Sequence, residues 1–181
     1  ATVMMENGPR AATLKNVATR AGVTEPAIFR HFPGVRGIFA VLADAVELFY
    51  DHFDGILADG APAVGLGRFE RAYRAMVDAL AERREFAYLI INSDSVFREY
   101  PELMERIARR QERYLEEGVK AFEEAGSAGE LRNGSSPRSL AAYACGGILL
   151  ALRTWVNRPD REDPRPACDA LWNDLRKLAA R

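Results

Sequence analysis

Hydrophobic residues recur along most of the chain at steps of three and four positions, the spacing that places side chains on one face of an α-helix. The first long stripe covers residues 38–56, and further stripes cover residues 66–80, 86–97 and 103–122. The alternation of polar and apolar residues that is typical of half-buried β-strands is absent from the sequence. The pattern therefore predicts an all-α fold.

The two last predicted helices, residues 137–157 and 167–180, have a different pattern. The first is apolar nearly all the way round, which in a soluble protein indicates contacts on more than one side, and its Gly146 and Gly147 let another helix approach closely. The second places five apolar side chains on one face: Cys168, Leu171, Trp172, Leu175 and Leu178. Two such helices, packed antiparallel, can form a four-helix bundle with their copies across a two-fold axis. The pattern favours a homodimer over the alternative that both helices only close the core of the monomer.

Near the N-terminus, the sequence predicts two short helices joined by a tight turn. Thr13 is a suitable N-cap for a helix over residues 14–20, and Gly22 suits the left-handed position that ends such a helix. Thr24 then caps a second helix, which has Pro26 in its first turn. This order predicts a helix-turn-helix, although a helical hairpin inside an enzyme or an interaction protein has the same geometry.

The second of these helices has a polar side that packing does not use. Ile28 and Phe32 form its inward pair, and the remaining side chains would face base pairs in the major groove of DNA. They are Glu25, Pro26, Ala27, Phe29, Arg30 and His31. Residues 1–36 carry five basic and two acidic side chains, a net charge of +3, whereas the remainder of the chain has a net charge of −4. This asymmetry indicates that only the N-terminal segment binds a polyanion.

Residues 13–39, TLKNVATRAGVTEPAIFRHFPGVRGIF, resemble the DNA-binding segment of the TetR family of one-component transcriptional regulators. The resemblance is carried by Thr13, Val17-Ala18, Ala21-Gly22-Val23-Thr24, Phe29 and His31-Phe32. It implies a helix-turn-helix DNA-binding domain over residues 1–36 and a helical effector-binding and dimerisation domain over residues 37–181. The function it implies is that of a homodimeric regulator of transcription, a repressor that a small-molecule effector releases from a palindromic operator.

Family roles can be carried onto the matching positions of this sequence. The resemblance implies that Thr13 and Thr24 contact phosphates from the starts of their helices. It also implies that five side chains approach base edges: Lys15, Glu25, Pro26, Ala27 and Arg30. The chain departs from the family pattern at Phe29, which replaces the usual tyrosine, and at Val35, where a phosphate-contacting lysine is common and Arg36 is the nearest substitute. Only about seven residues precede Gly8, so most of the usual first helix is missing from the sequence.

Three polar residues interrupt the apolar stripes of the body. Arg110 and Gln111 lie between Ile107 and Tyr114 and interrupt that apolar stripe. Ser93 interrupts the preceding stripe in the same way. Such residues either bond to one another or line a cavity in which a ligand bonds to them. The first case, an internal network or a solvated edge, is at least as well supported. Five aromatic residues nearby either belong to the hydrophobic core or, as the resemblance implies, line the effector pocket: Phe53, Tyr73, Phe86, Tyr114 and Tyr143. The hypothesis is an aromatic effector whose anionic or polar end binds Arg110.

Other classes of protein receive little support from the sequence. No apolar run reaches the roughly 18 residues of a membrane span, and a signal peptide is not recognisable, so we expect a cytoplasmic protein without a membrane partner. Cys145 and Cys168 have no nearby cysteine or histidine that would indicate a disulfide or a metal site. The alternative of a small helical enzyme would have to use His31 or His52 with a cysteine, and motifs for a nucleophile, a metal pair or a phosphate loop are lacking. We therefore expect no catalytic residue, no cofactor and no metal.

Overall fold

The computed structural model describes residues 1–59, 65–158, 160 and 163–181. In these ranges the chain forms ten α-helices and no β-strand, which confirms the all-α prediction. The helices are α1 (Thr2–Asn7), α2 (Leu14–Ala21), α3 (Glu25–His31), α4 (Val35–Ala58), α5 (Gly65–Ala81), α6 (Arg84–Ile91), α7 (Ser93–Val96), α8 (Pro101–Ser127), α9 (Pro137–Val156) and α10 (Arg165–Ala179). A short 3-10 turn, Pro9–Ala11, joins α1 to the segment before α2.

The main core forms where α8 packs against α4, α5 and α9. Every apolar residue of the stripe predicted for α5 is buried, and Phe69 packs its ring against those of Phe122 and Trp172 with centroids 4.7 and 5.6 Å away. Stacked aromatic rings at this spacing contribute energy beyond the area that they bury. The rings thus join α5, α8 and α10 into one body.

A second, smaller cluster lies beneath the two short N-terminal helices. It consists of the buried residues Ala18, Ile28 and Ile38, with four half-buried side chains around them: Leu14, Val17, Phe32 and Leu42. Because α4 contributes Ile38 here and Phe53 to the main core, one continuous helix connects the helix-turn-helix to the body. It passes through the domain boundary expected after residue 36, and that boundary stays a prediction. The short α1 buries its Met4 in the main core.

The helices α9 and α10 pack against each other, and their far side remains uncovered in the single chain. This outer apolar face, as we call it, consists of Tyr143, Leu149, Leu150, Leu171 and Leu178, which are between 42 and 72% exposed. By length and composition α9 is apolar enough to cross a membrane, a property that core helices of soluble proteins share. Its other side, with Ile148 and Leu152, is buried in the body.

Candidate functional site

The turn between α2 and α3 has the geometry that the sequence predicts. The hydroxyl of Thr13 accepts a hydrogen bond from the backbone N–H of Asn16 at 3.1 Å and so caps α2. Gly22 ends that helix in the left-handed conformation, with φ 69° and ψ 26°, where a side chain is unfavourable. The backbone N–H of Val23 donates to the carbonyl of Ala18 at 3.0 Å. These bonds fix the angle at which α3 leaves α2.

The start of α3 differs from the prediction in one respect. Thr24 occupies the N-cap position, but its side chain makes no capping hydrogen bond. A capping hydroxyl bonds to the second or third N–H of the helix. Here the second residue is Pro26, which has no N–H, and the N–H of Ala27 already donates to the backbone carbonyl of Thr24 at 3.0 Å. Thr24 is exposed, and its hydroxyl makes no hydrogen bond within the described residues.

The exposed side of α3, which we call the reading face, is formed by five of the six residues predicted for it: Glu25, Pro26, Phe29, Arg30 and His31. Ala27, the sixth, is half-buried, whereas Ile28 on the opposite side is 8% exposed. Phe29 is 60% exposed, a high value for an aromatic side chain, and it belongs to neither hydrophobic cluster. Among the described residues, Arg30 has no ion-pair partner, and neither has Lys15 on the exposed side of α2.

Arg36 is not free in this structure. Its guanidinium donates through Nε and Nη2 to one carboxylate oxygen of Glu102, at 3.1 and 2.7 Å, and so connects the first turn of α4 to the first turn of α8. The pKa of Glu102 is lowered by a hydrogen bond from its own backbone N–H and by Arg36. The predicted contact between Arg36 and a phosphate would thus require this exposed ion pair to open.

The pairing of Arg36 is the first of several ion pairs between α4 and α8. Arg106 donates to both oxygens of Glu47, at 2.9 and 2.6 Å, and to Asp44 at 2.7 Å. Arg110 donates through Nη2 to Asp51 and to Oδ2 of Asp54, the latter at 2.9 Å. The partners rise together in residue number along both helices, so α4 and α8 run parallel in this contact.

The innermost of these pairs is almost completely buried. Asp54 is 8% exposed, and the side chain of Arg110 is 13% exposed. Oδ1 of Asp54 and the Nε and Nη1 atoms of Arg110 are buried and have no hydrogen-bond partner in the part of the chain that the structure describes. Sequence reasoning placed Arg110 at this position but missed Asp54. The signal was present, because Asp54 lies four residues after Tyr50 and therefore on the buried stripe of α4.

The other predicted polar residues adjoin this pair. Gln111 donates to the hydroxyl of Ser93 at 3.4 Å, a long hydrogen bond, and Ser93 is 6% exposed. Burial raises the pKa of Tyr50 to about 12, and the nearby amide of Gln111 partly offsets that rise. The structure thus brings Ser93, Arg110 and Gln111 to the interior, and part of their hydrogen-bonding capacity serves an internal network.

Four of the five predicted aromatic residues lie in the interior of the body. Phe53 and Tyr114 are buried beside this network, with the Tyr114 and Tyr50 rings 5.8 Å apart, and Phe86 is half-buried against Phe49 at 5.4 Å. Tyr73 is buried too, but its hydroxyl donates to the backbone carbonyl of Cys168 at 2.8 Å and so holds α5 to α10.

The prediction for Tyr143 needs correction. Its side chain is 68% exposed on the outer apolar face and does not point into the body. The reason is the orientation of α9, which buries Leu140, Ala141, Ala144 and Ile148 and leaves Tyr143 on the opposite side.

Neither cysteine is exposed. Cys168 is buried, Cys145 is half-buried, and burial raises the pKa of both thiols to about 11. Thiols with a raised pKa are poor nucleophiles at neutral pH. In the described ranges, no group of three histidine, cysteine, aspartate or glutamate side chains has the geometry of a metal site.

Comparison with known proteins agrees with this arrangement. Residues 1–42 match the family model of bacterial regulatory proteins of the tetR family. The chain is 27% identical over 158 residues to the nucleoid occlusion factor SlmA of Marinobacter nauticus, an alignment that covers 86% of this chain and 77% of that protein.

Three solved structures have the same fold along nearly the whole chain. The MbdR regulator from Azoarcus sp. CIB is 20% identical and has a TM-score of 0.84, with 96% of this chain and 91% of that one covered. The ketosteroid transcriptional regulator KstR2 of Mycobacterium tuberculosis is 14% identical and has a TM-score of 0.77, with 99% of this chain and 90% of that one covered. FadR from Bacillus subtilis, solved with stearoyl-CoA, is 18% identical with a TM-score of 0.74 and covers 98% and 94%.

Proposed function

Because this chain belongs to the TetR family of bacterial regulatory proteins, a family of DNA-binding transcriptional regulators, we propose that it is a homodimeric repressor with a palindromic operator. A small-molecule effector that binds in the body releases it from that operator. The proposed function places the protein in the cytoplasm, with the chromosome, and assigns it no catalytic activity. Proteins of this family and its structural neighbours are regulators and not enzymes.

The observation that carries the proposal is the reading face of α3. An exposed phenylalanine, an arginine and a histidine lie together on a helix whose opposite side is packed, and Thr13, Lys15 and Thr24 lie exposed at the starts of α2 and α3. Side chains on such a helix contact base edges in the major groove, while helix starts and lysines contact phosphates. The proposal assigns base contacts to Glu25, Pro26, Ala27, Phe29, Arg30 and His31, and phosphate contacts to Thr13, Thr24 and Arg36. It gives Lys15 a phosphate contact as well, in place of the base contact that the resemblance implies.

Two features of the body support the rest of the proposal. The outer apolar face of α9 and α10 leaves five large apolar side chains uncovered, and a copy of the chain across a two-fold axis would cover them. The buried polar network around Arg110 and Asp54 offers unpaired donors and an unpaired acceptor in a setting of aromatic rings. The neighbour FadR was solved with stearoyl-CoA, which supports a ligand site in a body of this fold.

The experiment begins with selection of duplexes from a random pool by the purified protein. We expect a palindromic site and a binding constant that falls steeply as the salt concentration rises, because phosphate contacts release counterions. A shuffled duplex of the same composition is the control. If the selected and shuffled duplexes bind equally at every salt concentration, the protein does not read DNA sequence and the proposal is wrong.

The similarity to a nucleoid occlusion factor favours a second candidate, in which the protein binds DNA at many places on the chromosome and does not control individual promoters. Mapping of the bound sites in cells separates the two. A repressor released by an effector gives a few sites next to promoters, and these are lost when the effector is present. A nucleoid-bound factor gives many sites spread over the chromosome.

A further inference from the structure

We propose that the polar end of the effector is a neutral group with a hydrogen-bond donor beside an acceptor, such as a primary carboxamide, and that it bonds to the atoms that the Asp54–Arg110 ion pair leaves unpaired. This inference rests on the proposed function, because it assumes that the body binds an effector. It replaces the anionic end that the sequence suggested. The argument uses the unpaired atoms of the two side chains, the charges around them and the rings that surround them.

The unpaired atoms define what a bound group must supply. Asp54 uses Oδ2 to accept from Arg110 at 2.9 Å, and its Oδ1 accepts from nothing in the described residues. Arg110 uses Nη2 for both of its carboxylate partners, so Nε and Nη1 donate to nothing there. A polar atom that is buried without a partner is costly. A bound group relieves the cost when it donates to Asp54 and accepts from Arg110.

The surrounding charges favour a neutral group. Arg110 already faces two carboxylates, those of Asp51 and Asp54, and Arg113 lies 3.6 Å from the same Oδ2 of Asp54. A ligand carboxylate would enter beside the unpaired oxygen of Asp54 and repel it in surroundings of low dielectric constant. An ammonium group would face Arg110 in the same way. A carboxamide meets both sets of atoms without adding a charge.

The rings nearby indicate the rest of the effector. Tyr50 and Tyr114 pack together within 5.8 Å, and Phe53 packs against Phe49 at 4.7 Å. These side chains belong to α4 and α8, the two helices that carry Asp54 and Arg110. Tyr50 lies one helical turn before Asp54, and Tyr114 lies one turn after Arg110, so an aromatic or flat apolar effector bound at the ion pair would lie beside these rings.

The test uses three probes with the same phenyl body: phenylacetamide, phenylacetate and phenethylamine. Calorimetric titration and thermal shift at pH 7 measure binding of each probe to the purified protein. We expect phenylacetamide to bind at least about tenfold more tightly than the two charged probes, because only the amide satisfies both side chains. The same titration, repeated with operator-bound protein, should show that the amide lowers operator affinity.

A double variant, Asp54→Leu with Arg110→Met, removes both polar side chains together. Replacement of a buried ion pair by apolar residues of similar size often leaves a protein as stable as before, so we expect this variant to fold and to bind its operator. It should lose the preference for the amide. The matched control is Glu47→Leu with Arg106→Met, which removes another ion pair between the same helices and should leave amide binding unchanged.

Three results would overturn the inference while operator binding stays normal. They are the absence of binding by any probe, tighter binding of phenylacetate than of phenylacetamide, and unchanged amide binding in the Asp54→Leu, Arg110→Met variant. Failure of the proposed function has a different signature, since the wild-type protein would then select no operator at all.

Discussion

Two surfaces of this chain remain exposed for opposite chemical reasons. The reading face of α3 is small and polar around one phenylalanine, and its Arg30 has no ion-pair partner among the described residues. The outer apolar face of α9 and α10 carries leucines and a tyrosine and no charged side chain among its five members. Salt weakens contacts between charges and phosphates, whereas it leaves apolar contacts intact or strengthens them. One rise in ionic strength should therefore separate the two proposed partners, because the protein would release DNA and keep its dimer contact.

The largest effect is expected where the apolar face is broken. Leu171 lies over Gly147, since a Cβ atom on that glycine would be 3.6 Å from the leucine. In Leu171→Glu, a charge enters the centre of the proposed dimer contact, and operator affinity should fall by about 10²–10⁴-fold because the two half-sites are no longer bound together. Light scattering measures whether the variant is a monomer, and operator titration measures the loss of affinity. The control is Leu48→Glu, which places the same charge on another exposed leucine, on α4. A wild-type protein that is monomeric at micromolar concentration contradicts the assignment of this face.

A smaller effect is expected on the reading face itself. Arg30→Ala should weaken binding to the selected operator by roughly 1–3 kcal/mol, because a base contact is lost. It should have little effect on duplexes in which the base pair that Arg30 contacts has already been changed. Competition among duplexes with single substitutions identifies that base pair. Arg20→Ala, which removes the same charge from the end of α2, is the control. Equal losses on every duplex would show that Arg30 contacts the backbone and does not read a base.

Lys15 provides the contrasting case within the same segment. Lys15→Ala should weaken binding to all duplexes to a similar extent and reduce the slope of log K against log salt by about one unit, as expected when one phosphate contact is lost. Titrations at four salt concentrations measure the slope. An unchanged slope would remove Lys15 from the phosphate contacts.

The smallest effect concerns the ion pair between the first turns of α4 and α8. Glu102→Gln releases Arg36 from its ion pair, and the freed guanidinium should raise affinity for every duplex by about threefold, within the small range of exposed ion pairs. The gain should vanish when Arg36→Met is added. Glu105→Gln, one turn closer to the centre of α8 and paired only within that helix, is the control. If both glutamate variants gain equally, the effect is a general change of charge and Arg36 plays no part.

Local signals made the helix-turn-helix predictable. Thr13 and Gly22 act on their own neighbours in sequence, so their roles as N-cap and left-handed end follow from residue type. Helix periodicity was nearly as informative. Because α4 packs against both α5 and α8, however, it buries Ala43, Tyr50 and Leu57, whereas three members of the expected stripe are only half-buried: Leu42, Phe49 and Ile56. The predictions failed or fell short where the answer depends on distant residues. Glu102 lies 66 positions from Arg36, and no local pattern connects them.

The orientation of α9 shows the same limit. In a helix that is apolar on all sides, the sequence pattern does not show which side faces the body. Tyr143 was therefore assigned to the interior. Asp54 was missed because a carboxylate on a helix is normally solvated, and only its partner on α8 makes burial tolerable. In both cases the deciding information lies in the packing of one helix against another.

The small cluster of Ala18, Ile28 and Ile38 has a consequence for hydrogen exchange. Segments with few buried apolar contacts open at a lower free energy than the globular core, independently of global unfolding. The backbone amides of α2 and α3 should therefore exchange with deuterium well before those of α5 and α8, where the main core is concentrated. Operator binding should slow exchange in these two short helices first, since part of the binding free energy is spent on suppressing their opening. A protein of this design thus keeps its DNA-binding helices as its least protected region until DNA is bound.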